Sequence, residues 1–181
     1  MIAGFAIVAL WAFAEAILWF IVADVPISYL AVRYGWKTAT VAALIAALAA
    51  VPGGIFLYCW AQHDGAGVAA LLEALPAIDA AMIAEAERAY RAEGFAAMLA
   101  GSFGGMPYKL YALAAGNAGS PLLGFALASF AARVPRFLII GIGTAIAGRI
   151  AARWLSLRGR LAVLGLSWAL FYTWYFATMP G

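Results

Sequence analysis

The sequence predicts an all-α integral membrane protein. The expected architecture is an inverted repeat of two re-entrant helical hairpins, each followed by a transmembrane helix, with one more transmembrane helix at the C-terminus. Three observations predict it. The 181 residues are 67% hydrophobic and only 10% charged, against about 45–50% and about 25% in soluble domains. Three stretches supply the roughly 20 apolar residues that a spanning helix needs. Two more apolar stretches are broken by Gly, Pro and charges, and these two resemble each other.

A single membrane domain, 1–181, suits this length. Residues 1–34 are expected to form the first re-entrant hairpin. Their apolar run carries Glu15, Asp24 and Pro26, so it is too long for a short core helix and too interrupted for one clean span. No basic region follows Met1 and no small-residue cleavage site follows the first apolar stretch, so the N-terminus reads as retained structure. Residues 38–61 form the first predicted transmembrane helix, with a break expected at Pro52-Gly53-Gly54.

Residues 62–93 read as a polar, partly helical connector outside the bilayer or along its surface. Six of the eight acidic residues lie there, from Asp64 to Glu93, together with Arg88 and Arg91. Residues 94–116 are the second predicted hairpin, carrying Gly101, Gly104, Gly105, Pro107 and Lys109. Residues 119–148, with Pro135 near the middle, and 161–179, with a Trp/Tyr-rich end suited to an interface, complete the spans. Arg149, Arg153, Arg158 and Arg160 flank the gap between them, and Arg33 and Lys37 mark an earlier gap. Both basic gaps are expected on the cytoplasmic side. That is possible only if 94–116 enters and leaves by one face.

The two broken stretches match in detail. "PISYLAVRYG" runs from Pro26 to Gly35 and "PYKLYALAAG" from Pro107 to Gly116. Each is followed by an apolar helix that contains Val-Pro, at Val51-Pro52 and at Val134-Pro135. Paired, Gly/Pro-interrupted segments in corresponding halves point to a transport site at a repeat interface. With one spanning helix between them, the two hairpins should enter from opposite faces.

These residues resemble the DedA superfamily of membrane proteins (VTT domain), and within it the YqaA-like branch, over about residues 10–150. "GFAAMLAGSFGGMPYKLYALAAG" resembles that branch's re-entrant motif, through Pro107, Lys109 and Gly116. "ARVPRF" resembles its paired-arginine motif, through Arg133 and Arg136. Glu15 and Asp24 fall where the branch has a glutamate and, nine residues on, a second carboxylate. This sequence departs from the pattern at Phe20, Val22, Ala23 and Gly105, where prolines are usual. The resemblance implies two facing re-entrant hairpins in the inner (cytoplasmic) membrane of a bacterium. It implies movement of an anionic lipid, polyprenyl-phosphate or phospholipid, across the bilayer, with proton coupling among the mechanisms it allows.

The residues themselves support a phosphate site. An ionisable group inside apolar sequence usually faces a cavity or a partner, because in hydrocarbon it costs roughly 2.5–3.5 kcal/mol or more. Lys109 follows a break, where a helix N-terminus favours an anion. Arg133 and Arg136 are three apart and share a helix face. Arginine grips phosphate with two donors and lysine adds a point charge. Glu15 and Asp24 would pair with these cations when the site is empty, and could exchange a cation for a proton when substrate arrives. Lys109 is therefore expected in a polar crevice near Glu15 or Asp24, and Gly105, Pro107 and Pro26 at the re-entrant breaks. The plain alternative is that the five charges form a fixed ion network joining the hairpins.

Other classes find less support. A net charge of +3, dispersed along the chain, does not suggest nucleic acid. The only histidine, His63, and the only cysteine, Cys59, form no cluster with metal-ligand spacing, so neither metal nor cofactor is expected. Cys59 reads as a small packing residue and His63 as an interfacial one. "GIGTAIAG" at 141–148 lies in a predicted spanning helix and reads as helix packing, not as a dinucleotide loop. The chain is not expected to be an enzyme. A membrane scaffold or chaperone without transport is the alternative class, with a lipid-phosphate-processing enzyme behind it. A homo-oligomer is compatible with all of these readings.

Overall fold

The structure, a computed structural model, describes residues 1–178. It contains eight helices and, among the described residues, no strand. They are α1 (Ile2–Ile17), α2 (Asp24–Tyr34), α3 (Trp36–Glu73), α4 (Ala80–Glu93), α5 (Phe95–Gly104), α6 (Tyr108–Asn117), α7 (Leu122–Ala151) and α8 (Leu157–Thr178). The predicted last segment, 161–179, ends at Met179, outside the described residues.

Helices α3, α7 and α8 are long and apolar enough to cross a membrane. At 1.5 Å per residue, α7 is about 45 Å long and α8 about 33 Å, against a hydrocarbon core of about 30 Å. The chain is thus an all-helical membrane protein. Helix α1 reaches only about 24 Å, and α2, α5 and α6 about 15–17 Å each. None of these four matches the bilayer alone.

The breaks do not all fall where the sequence suggests. Helix α3 continues through Pro52, Gly53 and Gly54 and departs from helical geometry at Asp64 instead, with φ −146° and ψ 69°. Asp64 Oδ1 accepts from the Gly67 N–H at 2.8 Å, so it caps the piece that follows. Gly53 and Gly54 serve packing. A Cβ on Gly53 would lie 2.9 Å from Ala16 Cβ, and one on Gly54 would overlap the Tyr108 hydroxyl. Consequently residues 62–73, expected in the connector, extend α3. The rest of the connector is a loop and α4, whose N-cap Asp79 accepts from the Met82 N–H at 2.7 Å.

Pro26 is not a break either. It lies in the first turn of α2, where its missing N–H leaves no intrahelical bond unmade. The chain leaves helical geometry earlier, between Ile17 and Asp24. The other interruption falls at Gly105, Met106 and Pro107. Gly105 has φ +84°, a left-handed cap that suits glycine, and Pro107 is the extended N-cap of α6.

Helices α3 and α7 pack on each other at the centre. Helices α1 and α6 pack on α3, while α2 and α5 pack on α7. The face of α3 in these contacts is a ladder of buried alanines, Ala39, Ala42, Ala43, Ala46, Ala47 and Ala50, at helical spacing. Small residues let helices approach closely where lipid gives no hydrophobic drive. In the 141–148 stretch, Gly141 faces Ile27 and Ala39, and Gly148 faces Val32, while Gly143 is open. Helix α4 covers α5 and α6, and α8 leans on α2 without one fully buried residue. Cys59 is exposed on α3 and not packed in the core, and His63 is exposed.

Candidate functional site

The segment 18–23 between α1 and α2 is non-helical backbone inside a membrane protein. Each N–H and C=O freed there needs a partner from the protein or from a cavity. Four side chains, from α1, α6 and α8, supply partners. Trp11 Nε1 donates to the Ile21 carbonyl at 2.9 Å, and the Val22 N–H donates to the Tyr172 hydroxyl at 2.8 Å. Glu15 Oε2 accepts from the Ala23 N–H at 2.8 Å. Lys109 Nζ donates to the Trp19 carbonyl at 2.8 Å.

Glu15 thereby sits at the N-terminus of α2, where free N–H groups and the helix dipole favour a carboxylate. Its other oxygen accepts from Arg133 Nη2. Arg133, near the middle of α7, is 2% exposed. Its guanidinium lies between the rings of Tyr108 and Phe137, at 4.8 and 4.9 Å from their centroids. Both contacts are cation–π in kind. Its Nε is buried and has no hydrogen-bond partner among the described residues.

One turn on, Arg136 grips Asp24 Oδ2 with Nε at 3.2 Å and Nη2 at 2.8 Å. Its Nη1 donates to the Ser102 carbonyl at 3.2 Å. Arg136 therefore ties the start of α2 to the end of α5. Asp24 Oδ1 is buried without a partner among the described residues.

These groups border a crevice of about 140 Å³. Glu15, Lys109, Arg133 and Arg136 form its polar part, and Trp19, Phe20, Phe171 and Tyr172 supply aromatic wall. Its second edge is the Gly105–Pro107 break. Asp24 lies behind it, lining a neighbouring cavity that Arg136 and Trp168 share. Lys109 is only 5% exposed and pairs with no carboxylate within 4 Å among the described residues. Its partner is instead a carbonyl just past the end of α1, where helix C-termini leave C=O groups free.

Sequence reasoning missed several residues of the site. Tyr172 and Phe171 belong to a span whose aromatic end reads as an interface marker. Pro76 and Ile78 come from the connector loop, which composition places outside the bilayer. Ser28, at the position in the first half equivalent to Lys109, accepts from Trp168 Nε1 at 2.9 Å. Thus α8 covers the start of α2 as well as the crevice. Only the tight spacing of Trp168, Phe171, Tyr172 and Tyr175 on one helix face hints at this in the sequence.

Among the described residues no group of three or more His, Cys, Asp or Glu could hold a metal ion. No protein-family model, no curated protein and no solved structure matches the chain.

Proposed function

We propose that this chain moves an anionic lipid, polyprenyl-phosphate or phospholipid, across the membrane as a flippase or scramblase that resembles the DedA superfamily. The observation that carries the reading is the composition of the crevice. Lys109, Arg133 and Arg136 meet two carboxylates, Glu15 and Asp24, so one positive charge is left over. Lys109 holds only a neutral carbonyl. A phosphate entering there would take up the surplus cation and could draw arginine forks from their carboxylates. The crevice has room for a phosphate group and not for a whole lipid, so the tail stays in the bilayer beside α8. A carboxylate released by its arginine gives a route to proton coupling.

The same proposal includes re-entrant hairpins and an inverted repeat. Three observations support them. Leu30, late in α2, packs where a Cβ on Gly4, early in α1, would lie 3.0 Å away, so α2 returns alongside α1. Arg33 and Arg149 line one cavity, so α3 leaves that face and α7 comes back to it. Everything between them, including α5 and α6, then starts and ends at the other face. Each hairpin places one arm on α3 and one on α7, as a two-fold related pair would. The membrane proposed is the inner membrane of a bacterium.

The test is reconstitution in liposomes with fluorescent phosphatidylglycerol or a short polyprenyl phosphate, reading how much label an impermeant quencher reaches. Protein-dependent loss of protection, absent in Arg133→Ala, is expected. Rates equal to those of protein-free liposomes for both lipids would sink the transport reading.

A further inference from the structure

The crevice does not absorb the basic residues at the far end of the bundle. Arg149 lies thirteen residues beyond Arg136 on α7, about 20 Å along the helix. There the end of α2, the start of α3, the end of α7 and the start of α8 converge on a separate cavity of about 550 Å³. Arg33, Arg149 and Arg160 border it, and none of them pairs with a carboxylate among the described residues. No acidic residue borders it either.

Two of the three arginines are held by hydrogen bonds, and Arg149 is exposed. Arg33 Nε donates to the Tyr34 hydroxyl at 2.9 Å. Arg160 Nη1 donates to the Gly148 carbonyl at 3.1 Å, which also accepts from the Ala152 N–H at the end of α7. Its Nε is buried and lacks a partner among the described residues, a condition that calls for an acceptor. The rest of the lining is largely apolar and includes Val32, Ile142, Ile146 and Trp36.

We infer that this cavity is a second, non-transport site, which binds the phosphate of an anionic phospholipid from the surrounding leaflet. A lining that combines arginines with apolar side chains matches a lipid's headgroup and chain together, whereas a soluble phosphate would use only the arginines. Basic pockets between spanning helices on the cytoplasmic side are suited to such head groups. The bound lipid would staple α8, which has little packing of its own, to the ends of α2 and α7. This inference rests on the membrane placement and not on lipid transport.

The experiment is native mass spectrometry of the full chain in detergent with dioctanoyl-phosphatidylglycerol, dioctanoyl-phosphatidylcholine or inorganic phosphate. One phosphatidylglycerol per chain should be retained at this site in a Lys109→Met background, which removes the surplus cation of the crevice. Arg33→Gln/Arg149→Gln changes two exposed side chains and should weaken it about tenfold or more. Arg153→Gln/Arg158→Gln removes the same charge outside the cavity and should weaken it by less than about threefold. An equal loss in both pairs would show diffuse attraction and overturn the site. So would equal retention of phosphatidylcholine, or displacement of the lipid by millimolar inorganic phosphate. Failed transport with lipid retained here would leave this inference standing and remove only the transport proposal.

Discussion

Lys109 Nζ lies 2.8 Å from the carbonyl oxygen of Trp19. The charge on the second interrupted segment thus closes the backbone of the first. A lysine without a carboxylate partner inside a membrane protein is costly, and a carbonyl offers it only a dipole. This contact does structural work by satisfying Trp19. It also leaves the ammonium in the lining of the crevice, where the proposed site needs a cation.

Lys109→Met separates these two roles. It retains most of the bulk and leaves the Trp19 carbonyl unpaired, so a stability loss of about 1–3 kcal/mol is expected. If the charge also binds phosphate, lipid-phosphate affinity should fall well beyond what partial unfolding explains. Thermal unfolding in detergent and lipid binding, measured on the same preparation, check this. Unchanged affinity in a folded Lys109→Met protein would confine Lys109 to the structural role.

The proposed hairpin at α5–α6 makes a topological prediction. Single cysteines introduced near residues 93 and 118, in a Cys59→Ser background, should label from the same side of the membrane. Tyr90, late in α4, donates to Ser120 Oγ, just past α6, at 2.9 Å, a contact in keeping with that expectation. Labelling from opposite sides would contradict both the hairpin and the inverted repeat.

How much could be read beforehand differs between helices and breaks. The spans of α7 and α8 follow from apolar length, a property that local sequence carries. The Gly105–Pro107 interruption was legible because a left-handed glycine and a proline are backbone constraints in themselves. Pro26 and Pro52 misled for the same reason. Proline marks a break only where its N–H would have been used or its ring clashes, and Pro26 sits in a first turn. At Pro52 the bundle tolerates the lost bond because packing holds α3 together. The candidate charges, Glu15, Asp24, Lys109, Arg133 and Arg136, stood out because ionisable groups are scarce in apolar sequence. Which cation meets which carboxylate was not legible. Arg136 reaches Asp24 across 112 residues, and Lys109 finds a carbonyl that no motif advertises.

Glycine positions give a prediction with an internal control. A Cβ on Gly116 would lie 2.5 Å from the Tyr58 carbonyl oxygen and 2.8 Å from Ala61 Cβ, so α6 approaches α3 through that residue. Gly116→Val should separate the two helices and destabilise the protein by about 2 kcal/mol or more. Gly143 meets nothing within 4 Å. Gly143→Ala should therefore be neutral or slightly stabilising, through helix propensity alone. Comparable melting temperatures for the two variants would show that the α3–α6 contact does not control stability.

The paired arginines supply the sharpest test of a fixed ion network against a substrate site. Asp24 is 2% exposed and Arg136 holds it with two donors. Removing one partner leaves the other as an uncompensated buried charge, so Arg136→Ala should cost about 3–5 kcal/mol. Asp24→Asn in the same chain removes that orphan charge and should return part of the loss, giving a coupling energy of about 0.5–3 kcal/mol. Stability alone would then describe a structural pair. Transport distinguishes the cases, because the doubly substituted protein recovers its fold without recovering a cation for phosphate. Arg133→Lys extends the test. Lysine keeps the charge toward Glu15 but loses the planar fork between Tyr108 and Phe137, so impaired transport with near-normal insertion is expected. Measured in one reconstituted system, full transport in the folded Asp24→Asn/Arg136→Ala protein and in Arg133→Lys would reduce these arginines to structural struts and end their assignment to substrate.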